Sequence, residues 1–199
     1  MPFNVQEFRS ALRYDGARPN LFKCDLTFPT FATARSGGLG GAADRLGLSE
    51  KFSFMCRATS LPGSTVNQVP MMYFGRELKF AGNRTFPEWS VTIINDEDFS
   101  LRDAFEKWMH ALNSHVTNRR SNVAINNAEY QADGFITQYA KNGDITREKR
   151  YKFVGLFPID VSPIEVDWGA NDTIEEFAVT FAYQWWESEG TTEITFTNA

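Results

Sequence analysis

His110 and His115 are the only histidines in this 199-residue chain. On a continuous helix, five residues of separation place two side chains about 140° apart, so they are not arranged as i,i+4 metal ligands. His110 falls opposite the apolar residues of its segment, one turn from Glu106, and both imidazoles read as solvated surface groups. The run Ser36-Gly37-Gly38-Leu39-Gly40-Gly41 has the glycine content of a phosphate cradle. No Gly-Lys-Ser/Thr follows it and no βαβ pattern surrounds it, so a flexible loop is the better reading. Asp96, Glu97 and Asp98 could approach a divalent cation, but the Asp-x-Asp-x-Asp-Gly spacing is missing and a helix start accounts for them. There is no Gly-x-Ser-x-Gly elbow, and neither Cys24 nor Cys56 has an evident activating partner. Nothing marks a catalytic pair among the 25 acids. Asn83-Arg84-Thr85 and Asn171-Asp172-Thr173 match the glycosylation pattern by chance if the chain is not secreted. The expectation is a non-enzyme without cofactor or metal.

Attention therefore moves to the elements. From Thr173 to Trp186 the odd positions Phe177, Val179, Phe181, Tyr183 and Trp185 are apolar against Glu176, Thr180 and Gln184, which predicts one long strand with a buried face. Glu88 to Ile94 alternates in the same way through Trp89, Val91 and Ile93. Tyr130 to Ala140 and the stretch holding Tyr151, Phe153 and Phe157 read as two more strands. Lys141-Asn142-Gly143-Asp144 joins them as a tight hairpin turn. Phe22, Cys24, Leu26 and Phe28, then Phe52, Phe54, Cys56 and Ala58, also repeat at period two. One segment differs: Leu101, Ala104, Phe105, Trp108 and Leu112 form a helical stripe. Asp98 or Ser100 is its expected cap, and Asp103 with Lys107 its i,i+4 ion pair. The fold class is mainly β (α+β), with one amphipathic helix packed on sheets and no internal repeat.

The length suits a single domain, 1–199, which would bury roughly 70% of its extended surface and needs no staple. The 20 basic and 25 acidic residues leave a net charge of −5, a poor match to phosphate-gripping proteins. Aromatic residues are abundant: 18 Phe, 6 Tyr and 5 Trp. No apolar run reaches the ~20 residues of a membrane helix, and the first residues lack the pattern of a signal peptide. The two cysteines sit in apolar registers, which favours buried thiols in a reducing compartment over a disulfide.

Three stretches do not fit a compact core. Residues 32–50 carry five glycines and read as a long flexible loop. Residues 70–87 read as two short strands forming a projecting arm, loaded with Met71, Met72, Tyr73, Phe74, Phe80 and Phe86. Residues 190–199 alternate Ile194 and Phe196 with threonines, strand-forming sequence with no evident partner. Open edges and apolar arms are templates for a neighbouring chain, and head-to-tail contacts between copies close into rings or run on as filaments. A self-assembling β protein is the physical expectation.

Several segments make that expectation specific. Gly16-Ala17-Arg18-Pro19-Asn20-Leu21-Phe22 leads into a strand ending Phe28-Pro29. The run from Gly75 to Phe86 (GRELKFAGNRTF) continues into Glu88-Trp89-Ser90-Val91-Thr92, then Asn95-Asp96-Glu97-Asp98-Phe99 and the helix opening at Leu101-Arg102. The last strand runs from Glu175 to Glu187 with paired tryptophans. In this order, over about residues 14–187, the sequence resembles the tail tube proteins of contractile-tailed bacteriophages. The resemblance implies a β-sandwich or barrel-like tail tube fold and hexameric rings stacked into a hollow tube inside a sheath, through which the genome passes. It implies as partners other copies of the chain, the tail sheath protein and baseplate tube-initiating proteins, with the tape-measure protein and DNA only transiently in the lumen. Its place would be the virion, assembled in the host cytoplasm, without a membrane. For inter-ring and inter-subunit contacts it points to Gly37, Gly38 and Leu39 in the loop and to Met72, Tyr73, Phe74, Arg76 and Phe80 in the arm.

Thr92, Glu176, Thr180 and Gln184, polar neighbours of buried strand positions, are the lumen candidates; a plain solvent-facing sheet would show the same pattern. The acidic balance suits a conduit that does not hold DNA and an outer face matched to a basic sheath interior. The alternatives are a baseplate tube initiator or a tube subunit of a related contractile injection or secretion system. More remote is a β-sandwich carbohydrate-binding module using Trp168, Trp185 or Trp186.

Overall fold

Residues whose neighbours alternate between apolar and polar become strands here, because each strand buries one face and leaves the other to solvent. The computed structural model describes residues 4–12, 16–33, 42–141 and 148–188. In chain order they form α1 (Val5–Ala11), β1 (Phe22–Leu26), α2 (Ala42–Met55), β2 (Cys56–Thr59), β3 (Thr65–Tyr73), β4 (Arg76–Thr85) and β5 (Trp89–Ile94). Then come α3 (Ser100–Leu112), a 3-10 turn (Asn122–Ala124), α4 (Asn127–Tyr130), β6 (Ala132–Gln138), β7 (Lys149–Val161), β8 (Glu176–Ala182) and β9 (Trp185–Ser188). The main sheet is antiparallel in the order β1-β6-β7-β8-β5-β2, with β9 also on β7, while β3 and β4 pair only with each other.

Strand β7 is the hinge of this sheet. Its first half pairs with β6 and β9, from Gln138↔Lys149 and Tyr151↔Ser188 up to Val154↔Trp185. Its second half pairs with β8, from Phe157↔Ala182 to Val161↔Val179. Between the halves Gly155 sits at φ +67° beside a bulge, where only glycine is unstrained, and the strand bends. The two halves fold over one core in a sandwich or barrel-like arrangement. Trp89 of β5 stacks on Phe153 of β7 at 4.4 Å and on Phe181 of β8 at 5.3 Å. The mainly β class is as the sequence indicates, but the single helix expected is joined by others, of which α2 also packs into the core.

Helix α3 buries the expected stripe: Leu101, Ala104, Phe105 and Trp108 are in the core and Leu112 packs against it. The indole N–H of Trp108 donates to the Tyr130 carbonyl at 2.8 Å, which ties the helix to the chain entering β6. Its cap differs from the expectation. Phe99 is the N-cap, in the left-handed region at φ 52°, and the Asp98 carboxylate accepts the Ser100 N–H at 3.1 Å instead. The i,i+4 ion pair observed on the helix is Arg102–Glu106, at 2.9 Å.

Three expectations about local structure are corrected. Residues 32–50 are not a continuous loop: α2 begins at Ala42, and Phe52 of that helix lies in the core between Phe28 and Phe105. Leu48, Phe52 and Met55, all packed in or on the core, are spaced i, i+4, i+7. This helical stripe overrides the two-residue spacing of Phe52 and Phe54, and Phe54 is exposed. The long strand from Thr173 to Trp186 is two strands, because the chain leaves β8 after Ala182 and re-pairs with β7 as β9. Trp185 is accordingly 44% exposed rather than buried. Tyr130 ends a short helix, with β6 starting at Ala132. The β6–β7 pairing is the expected hairpin, and its turn residues Asn142, Gly143 and Asp144 lie outside the described residues.

Candidate assembly surface

The arm spans β3 and β4, longer at its base than the 70–87 read from sequence. Its two-residue turn is Phe74-Gly75, with φ 46° and 77°, the doubly positive geometry that suits a twisted hairpin. Tyr73↔Arg76, Met71↔Leu78 and Val69↔Phe80 are paired, so Val69, Met71, Tyr73, Leu78 and Phe80 share one face with Arg76. Met72↔Glu77 and Pro70↔Lys79 lie on the other. Each of those five apolar side chains is exposed, and Phe74 at the tip is 93% exposed. The base is anchored where the Trp186 indole donates to the Gly63 carbonyl at 2.8 Å and Phe86 meets Tyr183. Of the arm residues picked from sequence, Tyr73, Arg76 and Phe80 share the apolar face, Phe74 is the tip, and Met72 is on the opposite side. Gly37, Gly38 and Leu39 lie outside the described residues, as does 190–199.

The second surface is the outer face of β5 and β8. Thr92 pairs with Ala178, Ser90 with Thr180 and Ile94 with Glu176, so Thr92, Thr180 and Glu176 share a face away from Val91, Phe177 and Val179. Glu176 is ion-paired with Arg57 of β2. Gln184 is not with them. It lies at the crossing from β8 to β9, where its N–H donates to the Val154 carbonyl and its side chain packs at Gly155. At the ends of the strand path, β1 and β2 each have one edge unpaired among the described residues.

The remaining sites of possible chemistry resolve into structure. Asp96 and Asp98 both bind the ammonium of Lys51, at 2.8 and 2.6 Å, joining the acidic turn to α2. Desolvation works against the charged Lys51, but its bonds to Asp96 and Asp98 outweigh it and raise its pKa above the usual lysine value. The Asp98 carboxyl is held below the usual carboxylate range, first by the Lys51 hydrogen bond and also by Ser100, against the cost of desolvation. Cys24 is buried and Cys56 half-buried, both free; the neighbouring Cys56 and desolvation push the Cys24 thiol up, the opposite of a reactive cysteine. His110 and His115 do come together, with ring centroids 5.0 Å apart, because α3 ends at Leu112 and the chain turns back. Among the described residues no three His, Cys, Asp or Glu side chains gather as metal ligands. Nor is any described helix long and apolar enough to cross a membrane.

Residues 17–189 match the family model for the phage tail tube protein. The chain belongs to that family. It is 31% identical to tail tube protein gp19 of Enterobacteria phage T4 over 176 residues, covering 87% of this chain and 92% of gp19. Identity to the tail tube protein of Serratia phage KSP90 is 26%, over 90% of this chain and 93% of that one. Two solved structures share the fold at 12% identity, each with a TM-score of 0.54. One is a chain of the anti-feeding prophage baseplate, covering 87% of this chain and 95% of that one. The other is a chain of the extended sheath–tube complex of the extracellular contractile injection system PVC, covering 93% and 97%. The resemblance read from the sequence is thus established at the level of the family, and with it a structural role as a phage tail component. Sequence reasoning located the tail tube protein's arm through its apolar load but not the division of that arm into two faces, which needs the register.

Proposed function

We propose that this tail tube protein polymerises as hexameric rings stacked into the inner tube of a contractile tail, the conduit for genome delivery. The observation that carries this reading is the arm. A two-stranded hairpin is marginal alone in water, and one with five exposed apolar side chains on a single face gains its stability from a neighbour. The neighbour is another copy, whose unpaired β1 or β2 edge and sheet surfaces receive the arm. The tail sheath surrounds the tube, baseplate initiators nucleate it, and the tape-measure protein and DNA occupy the lumen only in passage. Assembly takes place in the host cytoplasm before the tail joins the virion. Thr92, Thr180 and Glu176, on one polar face with few cations, are the lumen-lining residues of this arrangement. Gly37, Gly38 and Leu39 belong with the arm in the ring-to-ring contacts.

Negative-stain microscopy of the purified chain, alone and seeded with baseplate or preformed tube, tests the proposal. Hollow tubes with six-fold end views are expected. A chain lacking residues 66–84 should stay folded and fail to form them. Tubes of normal length from that truncation would overturn the role of the arm. Rings that never stack, even when seeded, would mark an initiator instead.

A further inference from the structure

The distribution of charge along the chain points to a second contact, distinct from the arm. After Lys152 the sequence holds nine acidic residues and no lysine, arginine or histidine. Several of the acids crowd the connection between β7 and β8, residues 162–175, with Glu165, Asp167 and Asp172 flanking Trp168. Trp168 is 102% exposed, and Val166 and Ile174 are also well exposed. The segment is built, not slack. The Asp167 carboxylate accepts the Gly169 N–H at 2.9 Å and its carbonyl accepts the Ala170 N–H at 3.1 Å, a turn that presents the indole outward. Arg102 donates to the Ser162 carbonyl, and Asn95 donates to Glu175, fixing both ends. No cation pairs with Glu165, Asp167 or Asp172 among the described residues. A fully exposed tryptophan is the residue type that most often anchors an interface, and the carboxylates around it set the charge its partner must carry.

The complementary surface is at the other end of β7. There Arg150 lies over the Phe135 ring at 4.2 Å and Lys152 at 6.0 Å, Lys152 being ion-paired with Asp133 at 2.8 Å, and Lys23 stands on β1 beside β6. Phe54 of α2, 74% exposed, lines a cavity of about 430 Å³ together with Phe135 and Arg150. Glu50 and Asp25 also line it, Asp25 being taken up by Lys23 at 2.9 Å and Ser53 at 3.1 Å. Arg150 has no carboxylate partner among the described residues. Two aromatic side chains and Arg150, which has no carboxylate of its own among the described residues, accept an indole by stacking and a flanking carboxylate by charge. The loop follows the C-terminal end of β7 and Arg150 lies near its N-terminal end, so the two are separate surfaces.

Resting on the tube reading above, we infer that the Trp168 loop of one copy docks in the Phe54–Phe135–Arg150 cavity of the next. Loop and cavity are different surfaces, so the contact is heterologous and gives the polymer a direction.

The test uses the full chain, assembled from a mixture of isotopically heavy and light protein and treated with a carbodiimide. That reagent condenses a carboxylate with a lysine amine and expels water as its urea. Heavy–light cross-links from Glu165 or Asp167 to Lys23 or Lys152 are expected. Trp168→Ala and Arg150→Glu, both at surface positions, should each raise the concentration needed for assembly about thirtyfold, the size of an interface anchor. Arg150→Glu combined with Asp167→Arg should recover most of it. Cross-links from the loop to another surface, or Trp168→Ala assembling at the wild-type concentration, would overturn the contact and leave the tube reading standing. A wild-type chain that stays monomeric even with preformed tube as seed would overturn both.

Discussion

Replacing Gly155 by alanine tests whether the bend in β7 is a backbone requirement. At φ +67° an added Cβ costs about 1–2 kcal/mol against the left-handed conformation. The new atom would also stand 2.8 Å from Gln184 Cγ and 3.1 Å from Gln131 Oε1. Both contacts are with side chains, and Gln184 is exposed, so it can swing aside at little cost. The backbone term should therefore dominate, and the loss should be about 1–2 kcal/mol rather than the ~3 of a rigid overpacked site. In a domain of this length that is a fall of about 2–8 °C in Tm. Urea unfolding of the monomer, below the concentration for assembly, measures it. Gly155→Asn should lose less, since asparagine tolerates this region. Gln184→Ala in the Gly155→Ala background should restore less than about 0.5 kcal/mol, the usual scale for a surface change. Wild-type stability for Gly155→Ala would refute the argument, and full recovery on adding Gln184→Ala would show that the clash, not the dihedral, sets the cost.

Trp108→Phe removes the indole donor and leaves the Tyr130 carbonyl without it in a buried site, an expected loss of about 1–3 kcal/mol by urea unfolding. The Lys51–Asp98 pair predicts two limits in pH. Asp98, whose folded pKa is depressed, contributes stability above the unfolded value of about 3.9, lost as pH falls through the lower folded value. Lys51, whose folded pKa is raised, contributes below about 10.4 and loses that contribution as pH rises through the higher folded value. Asp98→Asn should remove the acid limb of a stability profile measured by thermal unfolding and only weaken the alkaline one, because Asp96 still holds Lys51. Phe80→Asp on the apolar face of the arm should leave Tm within about 1 °C, since the side chain already meets solvent, and abolish sedimentable assembly.

The strands were legible where one face is buried throughout. β5, β6 and β8 alternate because Val91, Ile93, Ile136, Phe177 and Val179 all point into one core. The stripe of α3 was legible for the same reason at the helical period. Helix α2 was hidden because its core contacts, Leu48, Phe52 and Met55, begin just after a glycine-rich run, and Phe54 mimics strand spacing while facing solvent. The break between β8 and β9 carries no glycine or proline of its own; its cause is Gly155, almost thirty residues earlier, which turns the partner strand away. The proximity of His110 and His115 could not follow from helical angles, because the helix stops between them. Of the assembly surface, composition marked the arm, whereas the cavity at Phe135 depends on the β1–β6–β7 register and is invisible in any one segment.

Folding and association are carried by different aromatic residues in this chain. Trp89, Phe105, Trp108, Phe153 and Phe181 are buried and contact one another, so the core needs nothing from a neighbour. Phe80, Phe74, Trp168 and Phe54 are exposed and sit on the arm, on the acidic loop and beside the cavity. On the proposed tube reading, a subunit with such a core is folded before it assembles, and nucleation and concentration set its polymerisation. In the proposed contact the loop and the cavity are unlike surfaces, so each added subunit would use one and leave the other free. Growth from a fixed nucleus then runs in one direction, which is what a tube extending away from a baseplate requires.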